Sequence, residues 1–313
     1  MSGNEKEYIW YKLVFKQNQP IHIGSFKWGV VNQTEIFIPG QTIWGALVKA
    51  YIERNNVTIP AEVENIKKAF ETITVFYPSF NSKGEEILFP SYKRGEFHLG
   101  PFSEKEFRLL FVDADFKTSI EPIYRRAKEE HLYEFEYLLY KPKNPIVLEK
   151  ILASKNPKEK LNLREVSQIY WVGLIRIPNI IKFNSFFQKG LTIFLGGDNK
   201  YGFGELELID KYDSGKLKNI EINQNLNQWN VNEEGFFSYK KEDTLKNFLQ
   251  LNCISNSTPN FEGEIKVLVE NNFKQNPPKV EKADYFLNIG GKLSEELKLK
   301  KCHLVKGRFI HIS

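Results

Sequence analysis

Cysteine, methionine and long apolar runs are scarce in this chain. Among 313 residues there are two cysteines, Cys253 and Cys302, and one methionine. Neither cysteine stands in a CxxC or Cys/His ligand spacing, so neither a disulfide framework nor a structural zinc site is expected, and a reducing cytoplasm is the natural setting. No apolar run reaches the roughly 18 residues that a membrane-crossing helix needs. The opening MSGNEKEYIW also lacks the basic-then-apolar order of a signal peptide.

Catalytic signatures are missing too. GxSxG, Walker A and dinucleotide-binding glycine patterns are absent, which removes support for hydrolase, NTPase and dehydrogenase readings. The five histidines (His22, His98, His131, His303 and His311) include no pair at metal-ligand i, i+4 spacing. No metal and no cofactor is expected. The charge balance excludes little: 44 Lys and Arg against 39 Asp and Glu leave a formal charge of +5, compatible with a locally basic groove.

What is present is an ordinary globular composition, with 41% hydrophobic and 27% charged residues, enriched in rings: 25 Phe and 14 Tyr. Those rings suit a Phe-rich core or surfaces that stack on bases. Alternation predicts strands at Tyr8 to Phe15, Pro20 to Gly24, Leu109 to Val112, Leu132 to Leu139, Ile169 to Ile177, Leu191 to Leu195 and Glu205 to Ile209. A helix is expected from Thr42, where Ile43, Ala46, Leu47, Ala50 and Tyr51 form one apolar stripe. Further helices are expected at residues 61 to 75, Pro122 to Glu130, Phe183 to Gly190 and Lys241 to Leu249. Residues 25 to 35 read as loop, 76 to 100 as loop or extended hairpin, and 211 to 232 as a polar linker. Strands and helices without regular alternation indicate an α+β fold.

Two segments stand out. In the first, IHIGSFKWGVVNQTEIFIPGQTIWGALVKAYI (residues 21 to 52), Pro39-Gly40 feeds directly into a helix. A glycine there would let backbone N–H groups approach an anion at the helix N-terminus, although a plain helix start is the simpler reading. In the second, LTIFLGGDNKYGFGELEL (residues 191 to 208), four glycines lie between two strands with Lys200, Tyr201 and Phe203 among them. Such a loop can wrap a phosphodiester backbone, unless its aromatics pack inward.

Together and in this order the two segments resemble the RAMP superfamily of CRISPR proteins. Ile38-Pro39-Gly40 with Gly45-Ala46-Leu47 matches its IPG-x-x-x-x-GAL helix, and Gly196, Gly197, Gly202, Phe203 and Gly204 match its glycine-rich loop. The resemblance spans residues 8 to 210. It implies two ferredoxin-like (RRM-like) domains: residues 1–210, with insertions over about 76–165 and the glycine-rich loop, and a degenerate second half, 211–313. Within the superfamily the chain is most similar to the subunit that holds the crRNA 5′ handle at the foot of type III effector complexes. It shares with that subunit its length and an irregular middle, Lys117-Thr118-Ser119-Ile120 followed by an Arg pair and Glu130-His131-Leu132-Tyr133.

The resemblance implies RNA binding without catalysis in the cytoplasm, as part of antiviral defence. The partners it implies are crRNA, the large catalytic subunit and the backbone subunits. The RNA-binding residues expected are Gly24, Lys27, Trp28, Pro39, Gly40, Gln41, Thr42, Lys49, Lys93, Arg94, Arg125, Arg126, Gly196, Gly197, Asn199, Lys200, Tyr201, Gly202, Phe203 and Gly204. Trp28 could equally cover the sheet. The crRNA-processing nucleases carry the glycine loop at the extreme C-terminus, whereas here about a third of the chain follows Gly204. Target-cleaving backbone subunits rely on an Asp in an early loop, and residues 25 to 34 contain none. Two enzymatic alternatives remain: His22 as a general base for RNA cleavage, and Asp113, Asp115 and Asp198 as a palm-type metal site for nucleotidyl transfer or cyclisation. Against the palm stands the plain reading of Asp113 and Asp115 as turn residues at a strand end.

Overall fold

The structure, a computed structural model, describes residues 7–121, 123–154, 168–213, 226–240, 242–255, 260–272, 277, 279–293 and 300–311. The N-terminal half is built from β1 (Tyr8–Gln17), α1 (Gly40–Asn55), α2 (Pro60–Ala69), β4 (Tyr77–Ser79), β10 (Tyr170–Pro178), α5 (Ile181–Asn184), β11 (Thr192–Phe194) and β12 (Glu205–Asp213). They form one antiparallel sheet in the order β11-β12-β1-β10-β4. Without β11, the order of the first, second, third and fourth principal strands is 4-1-3-2, with a long helix after the first and a short one after the third. That is the ferredoxin-like arrangement. Its helix α1 buries Ile43, Ala46, Leu47 and Tyr51, the stripe the sequence shows.

The insertions hold β2 (Gly24–Trp28), β3 (Val31–Thr34), β5 (Pro90–Lys93), β6 (Glu96–Leu99), β7 (Phe102–Ser103), α3 (Glu104–Phe111), β8 (Val112–Glu121), β9 (Arg126–Leu138) and α4 (Pro145–Ala153). Several expectations are corrected here. Residues 25 to 35 are a β2–β3 hairpin, not a loop, and it joins a four-stranded arm in the order β2-β3-β9-β8. The expected strand at Leu109 lies within α3. A capping box starts that helix: Glu106 N–H donates to Ser103 Oγ at 3.3 Å, and Ser103 N–H donates to Glu106 Oε2 at 2.8 Å. The expected helix at Pro122 to Glu130 is the turn of the β8–β9 arm running into β9 (Pro122 itself lies outside the described residues). Asp113 and Asp115 lie in the first half of β8 rather than at a strand end.

The C-terminal half contains β13 (Phe248–Gln250), β14 (Phe261–Glu262), β15 (Ile265–Asn272), β16 (Lys279–Leu287), β17 (Lys292–Leu293), β18 (Cys302–Val305) and β19 (Arg308–His311). Its main sheet runs β15-β16-β13-β19-β18. The first four positions keep the ferredoxin-like order, but β19 pairs with β13 in parallel, where that fold has an antiparallel strand. Among the described residues no α-helix follows β13 or β16. The expected Lys241 to Leu249 helix is turns and strand, and Lys241 lies outside the described residues. The supposed linker holds buried Leu226, Trp229 and Val231, and β12 runs to Asp213, past the expected boundary.

This sheet docks straight onto the first half. Phe248 meets Phe37 and Trp229 meets Tyr77, with ring centroids 6.2 and 5.7 Å apart. Asn247 Oδ1 accepts from Val75 N–H at 2.9 Å, and Tyr77 Oη donates to the Lys246 carbonyl at 2.7 Å. The two cysteines, expected to be unpaired, form a Cys253–Cys302 disulfide with Cα atoms 6.1 Å apart. Sequence spacing could not show this, because the folded sheet brings together positions 49 residues apart. Cysteine usage therefore lends no support to a reducing compartment. Among the described residues no helix is long and apolar enough to cross a membrane.

Candidate nucleic-acid interface

The stretch after β1, residues 18–22, is clasped from two sides. On one side Asn18 N–H donates to the Glu205 carbonyl at 3.0 Å, Gly204 N–H to that of Pro20 at 2.8 Å, and Gly197 N–H to that of His22 at 3.0 Å. On the other side Ile21 and Leu138 exchange backbone bonds of 3.0 and 2.8 Å at the root of the arm. The glycine-rich loop and the arm are thereby brought face to face. Gly196 makes this possible: at φ +77° any Cβ would lie 2.0 Å from the His22 carbonyl oxygen.

Between loop and arm lies a cleft of about 740 Å³, lined by Lys117, Thr118, Ile120, Tyr133, Asp198, Tyr201 and Phe203. Lys117 pairs with Asp198 and sits over three rings, its Nζ 4.0 Å from the centroid of Phe135, 4.9 Å from Phe203 and 5.7 Å from Tyr201. Phe203 packs edge-on against Phe135 and Tyr137 at 5.5 and 5.4 Å, whereas Tyr201 is 77% exposed. Burial first, then the carboxylates of Asp115 and Asp113, push the Tyr137 phenol up to about 12, so it stays a neutral hydroxyl. His22 stacks on Phe135 at 4.1 Å, with Nδ1 2.7 Å from the Glu136 carbonyl oxygen. That carbonyl can only accept, so Nδ1 is the donor in this contact.

No protein-family model matches the sequence, and no curated protein matches it. Solved structures do. A chain in the cryo-EM structure of the Type III-B Cmr-beta bound to cognate target RNA is 14% identical, with TM-score 0.53 over 91% of this chain and 86% of that one. A chain in the Type III-B Cmr-beta bound to cognate target RNA and AMPPnP is 15% identical, with TM-score 0.51 over 90% of this chain and 85% of that one. The fold is shared with these chains. At these identities the likeness bears on fold alone.

The RAMP-like motifs separate into two places. Gly196, Gly197, Asn199, Lys200, Tyr201, Gly202, Phe203 and Gly204 share the loop. With its amide oriented to donate, Asn199 reaches the Phe203 and Leu195 carbonyls at 3.3 and 3.1 Å, and Lys200 is exposed. Gly24 and Lys27 are exposed on β2; the Trp28 side chain lies outside what is described.

The Pro39-Gly40 helix start is not an open anion cradle. Gly40 is buried, a Cβ on it would fall 2.4 Å from Gly307 N, and Gln41 Oε1 accepts from Arg308. Thr42 is half-buried beside it. Lys49 is exposed, 3.8 Å from Glu53, beside a smaller cleft between α1 and β11. Lys93 and Arg94 tip the β5–β6 hairpin, whose Pro90 carbonyl accepts from Thr244 Oγ1 at 2.8 Å and whose Tyr92 hydroxyl accepts from Asn288 Nδ2 at 2.9 Å, so they lie apart from the loop. Arg125 is exposed at the arm's turn, and Arg126 pairs with Glu121 at 2.9 Å.

The cleft wall from β9 was missed by sequence reasoning, although Tyr133, Phe135 and Tyr137 recur every second residue and so share one strand face. Asp198 is paired with Lys117 and Asp113 with Lys143 at 3.7 Å. Among the described residues no three His, Cys, Asp or Glu side chains group to hold a metal ion, so the palm arrangement is not assembled.

Proposed function

We propose that this chain is a non-catalytic RNA-binding subunit of a type III CRISPR RNA-guided effector complex, holding the 5′ handle of crRNA and anchoring it to the large subunit in the cytoplasm. One observation carries the reading: the glycine-rich loop is fixed against the arm so that Tyr201 and Lys200 stand exposed beside a ring-lined cleft. Exposed rings next to cations suit unpaired RNA, where each stacked base contributes about 1–3 kcal/mol. The fold shared with the Type III-B Cmr-beta chains is in keeping with that role. UV crosslinking in the native host, followed by sequencing of the captured RNA ends, tests it. Short RNAs sharing one repeat-derived 5′ sequence, crosslinked at residues 196–204, are expected. Crosslinks along spacer sequence only would point to a backbone subunit, and recovery of an intact complex without RNA on this chain would refute the proposal.

The His22 ring, beneath the loop with Nδ1 held by the Glu136 carbonyl, favours one second reading: a metal-independent ribonuclease. Incubation with repeat RNA in EDTA distinguishes the two. Intact RNA is expected for a binding subunit, whereas products ending in 2′,3′-cyclic phosphate that vanish in His22→Gln would establish cleavage.

A further inference from the structure

The cleft between loop and arm has a feature that phosphate binding does not explain. Its ammonium, Lys117, is already neutralised by a carboxylate, Asp198, in the same wall. A phosphate entering there would meet that carboxylate, and like charges at close range repel. Lys200, exposed on the same loop, is the better phosphate partner. The rest of the lining is one hydroxyl, Thr118, with three rings and an aliphatic chain: Tyr133, Tyr201, Phe203 and Ile120. A planar, largely apolar group with a polar edge fits such walls, and its size is in the range of small-molecule sites.

The geometry points to a single unpaired nucleobase held in this cleft, stacked on Tyr201, with guanine selected by the Asp198–Lys117 pair. This deepens the proposed function and rests on it. The hydrogen-bonding inventory of the bases ranks them. Guanine presents two adjacent donors, N1–H and N2–H, which a carboxylate accepts through both oxygens, and beside them O6, an acceptor for an ammonium. Adenine and cytosine each offer one amino donor next to a ring-nitrogen acceptor, so one bond to the carboxylate is lost. Uracil offers one donor flanked by two carbonyl oxygens, which the carboxylate would face. A carboxylate at this place therefore orders the bases as guanine, then adenine and cytosine, then uracil. Asp198 lies at φ +57°, a conformation that Asn adopts as readily as Asp, so Asp198→Asn removes the charge without straining the loop.

The test uses the full-length protein and fluorescein-labelled RNA octamers in anisotropy titrations: octauridylate, and the same octamer with one central G, A or C. The G octamer is expected to bind on the order of tenfold more tightly than octauridylate, the effect of one added charge-assisted hydrogen bond. In Asp198→Asn that gain should disappear while octauridylate binds as before or more tightly. Equal binding of all four octamers, or a guanine gain that survives Asp198→Asn, would overturn the selectivity and leave RNA binding standing. Equal loss of all octamers in Asp198→Asn would also overturn it, showing Asp198 to be a structural anchor. Failure of every octamer to bind the wild-type protein would remove the proposed function itself.

Discussion

Gly40 and Gly45 belong to the same helix motif, and the structure assigns them opposite responses to one methyl group. A Cβ on Gly40 would sit 2.4 Å from Gly307 N and 2.6 Å from Gly307 Cα and the Lys306 carbonyl carbon, all of them backbone atoms in the β18–β19 turn. Backbone cannot rotate aside, so Gly40→Ala must lift the turn off α1. That strains the 2.7 Å bonds from Lys306 N–H to the Glu71 carbonyl and from Gly307 N–H to that of Ile73. Overpacking costs about 1–3 kcal/mol and a weakened hydrogen bond about 1 kcal/mol, so a loss of about 2–4 kcal/mol is expected. At about 2.1 cal/mol/K per residue of unfolding entropy, that lowers the melting temperature by roughly 3–6 °C. Around Gly45 nothing lies within 4 Å of an added Cβ, and the site is helical. Gly45→Ala should gain about 0.5–1 kcal/mol and raise the melting temperature by about 1 °C. Calorimetry on both variants, with RNA titrations below the transition, decides the matter. A Gly40→Ala protein that melts like wild type but binds RNA weakly would refute the interface role and restore the helix start as an anion site.

Four further outcomes follow from the site and the second half. Tyr201→Ala should leave the melting temperature unchanged while weakening single-stranded RNA about tenfold, because its ring is exposed and a stacked base is worth about 1–3 kcal/mol. Phe203→Ala, which removes a ring packed on Phe135 and Tyr137, should cost about 2 kcal/mol of stability; reversed effects in the two variants would refute the inward and outward assignment. Reducing the Cys253–Cys302 bridge, which closes a loop across a separation of 49 residues, should destabilise by about 2–4 kcal/mol, and an unchanged urea midpoint in reductant would contradict it. Burial, reinforced by Arg176, lowers the His303 pKa below 6.5, so the unfolded chain binds its proton first. His303's contribution is therefore full above pH 6.5 and is lost as pH falls below it. His303→Gln should flatten that part of the pH profile, and an unaltered slope would show that another group is responsible.

The first half was legible because its signals are local and redundant. The α1 stripe, the alternation in β1 and β10, and the glycine loop each carry their own period. The failures have physical causes as well. Residues 122 to 130 contain good helix formers, yet cross-strand pairing from Thr118↔Leu132 through Glu121↔Arg126 holds the described ones as turn and strand. Lys241 to Leu249 reads as a helix by composition, yet Phe248 and Leu249 are taken into a sheet between β16 and β19. The cleft was half legible. Its glycines and Tyr201 announce themselves, and Phe135 falls in an alternating aromatic pattern, while Lys117 enters only through a register that no local pattern encodes.

The lack of an α-helix after β13 or β16 among the described residues and the buried glycine of the first half are one arrangement. A ferredoxin-like sheet ordinarily covers one face with two helices, and among the described residues this sheet has neither after β13 or β16. Its apolar residues still need cover. Phe248 finds it in Phe37, and Trp229, in the segment before the sheet, packs on Tyr77 and Phe89. Sheet and neighbouring domain can approach this closely only where a side chain is absent, which is what Gly40 against Gly307 provides. Lys306 over Trp44 at 3.9 Å and Arg308 on Gln41 close the edges of the same contact. The IPG motif, which by sequence alone looks like a phosphate cradle, here fastens the two halves together. The glycine-rich loop, stitched to residues 18–22 at the other end of the segment leading into α1, is left as the part of the motif pair that faces outward.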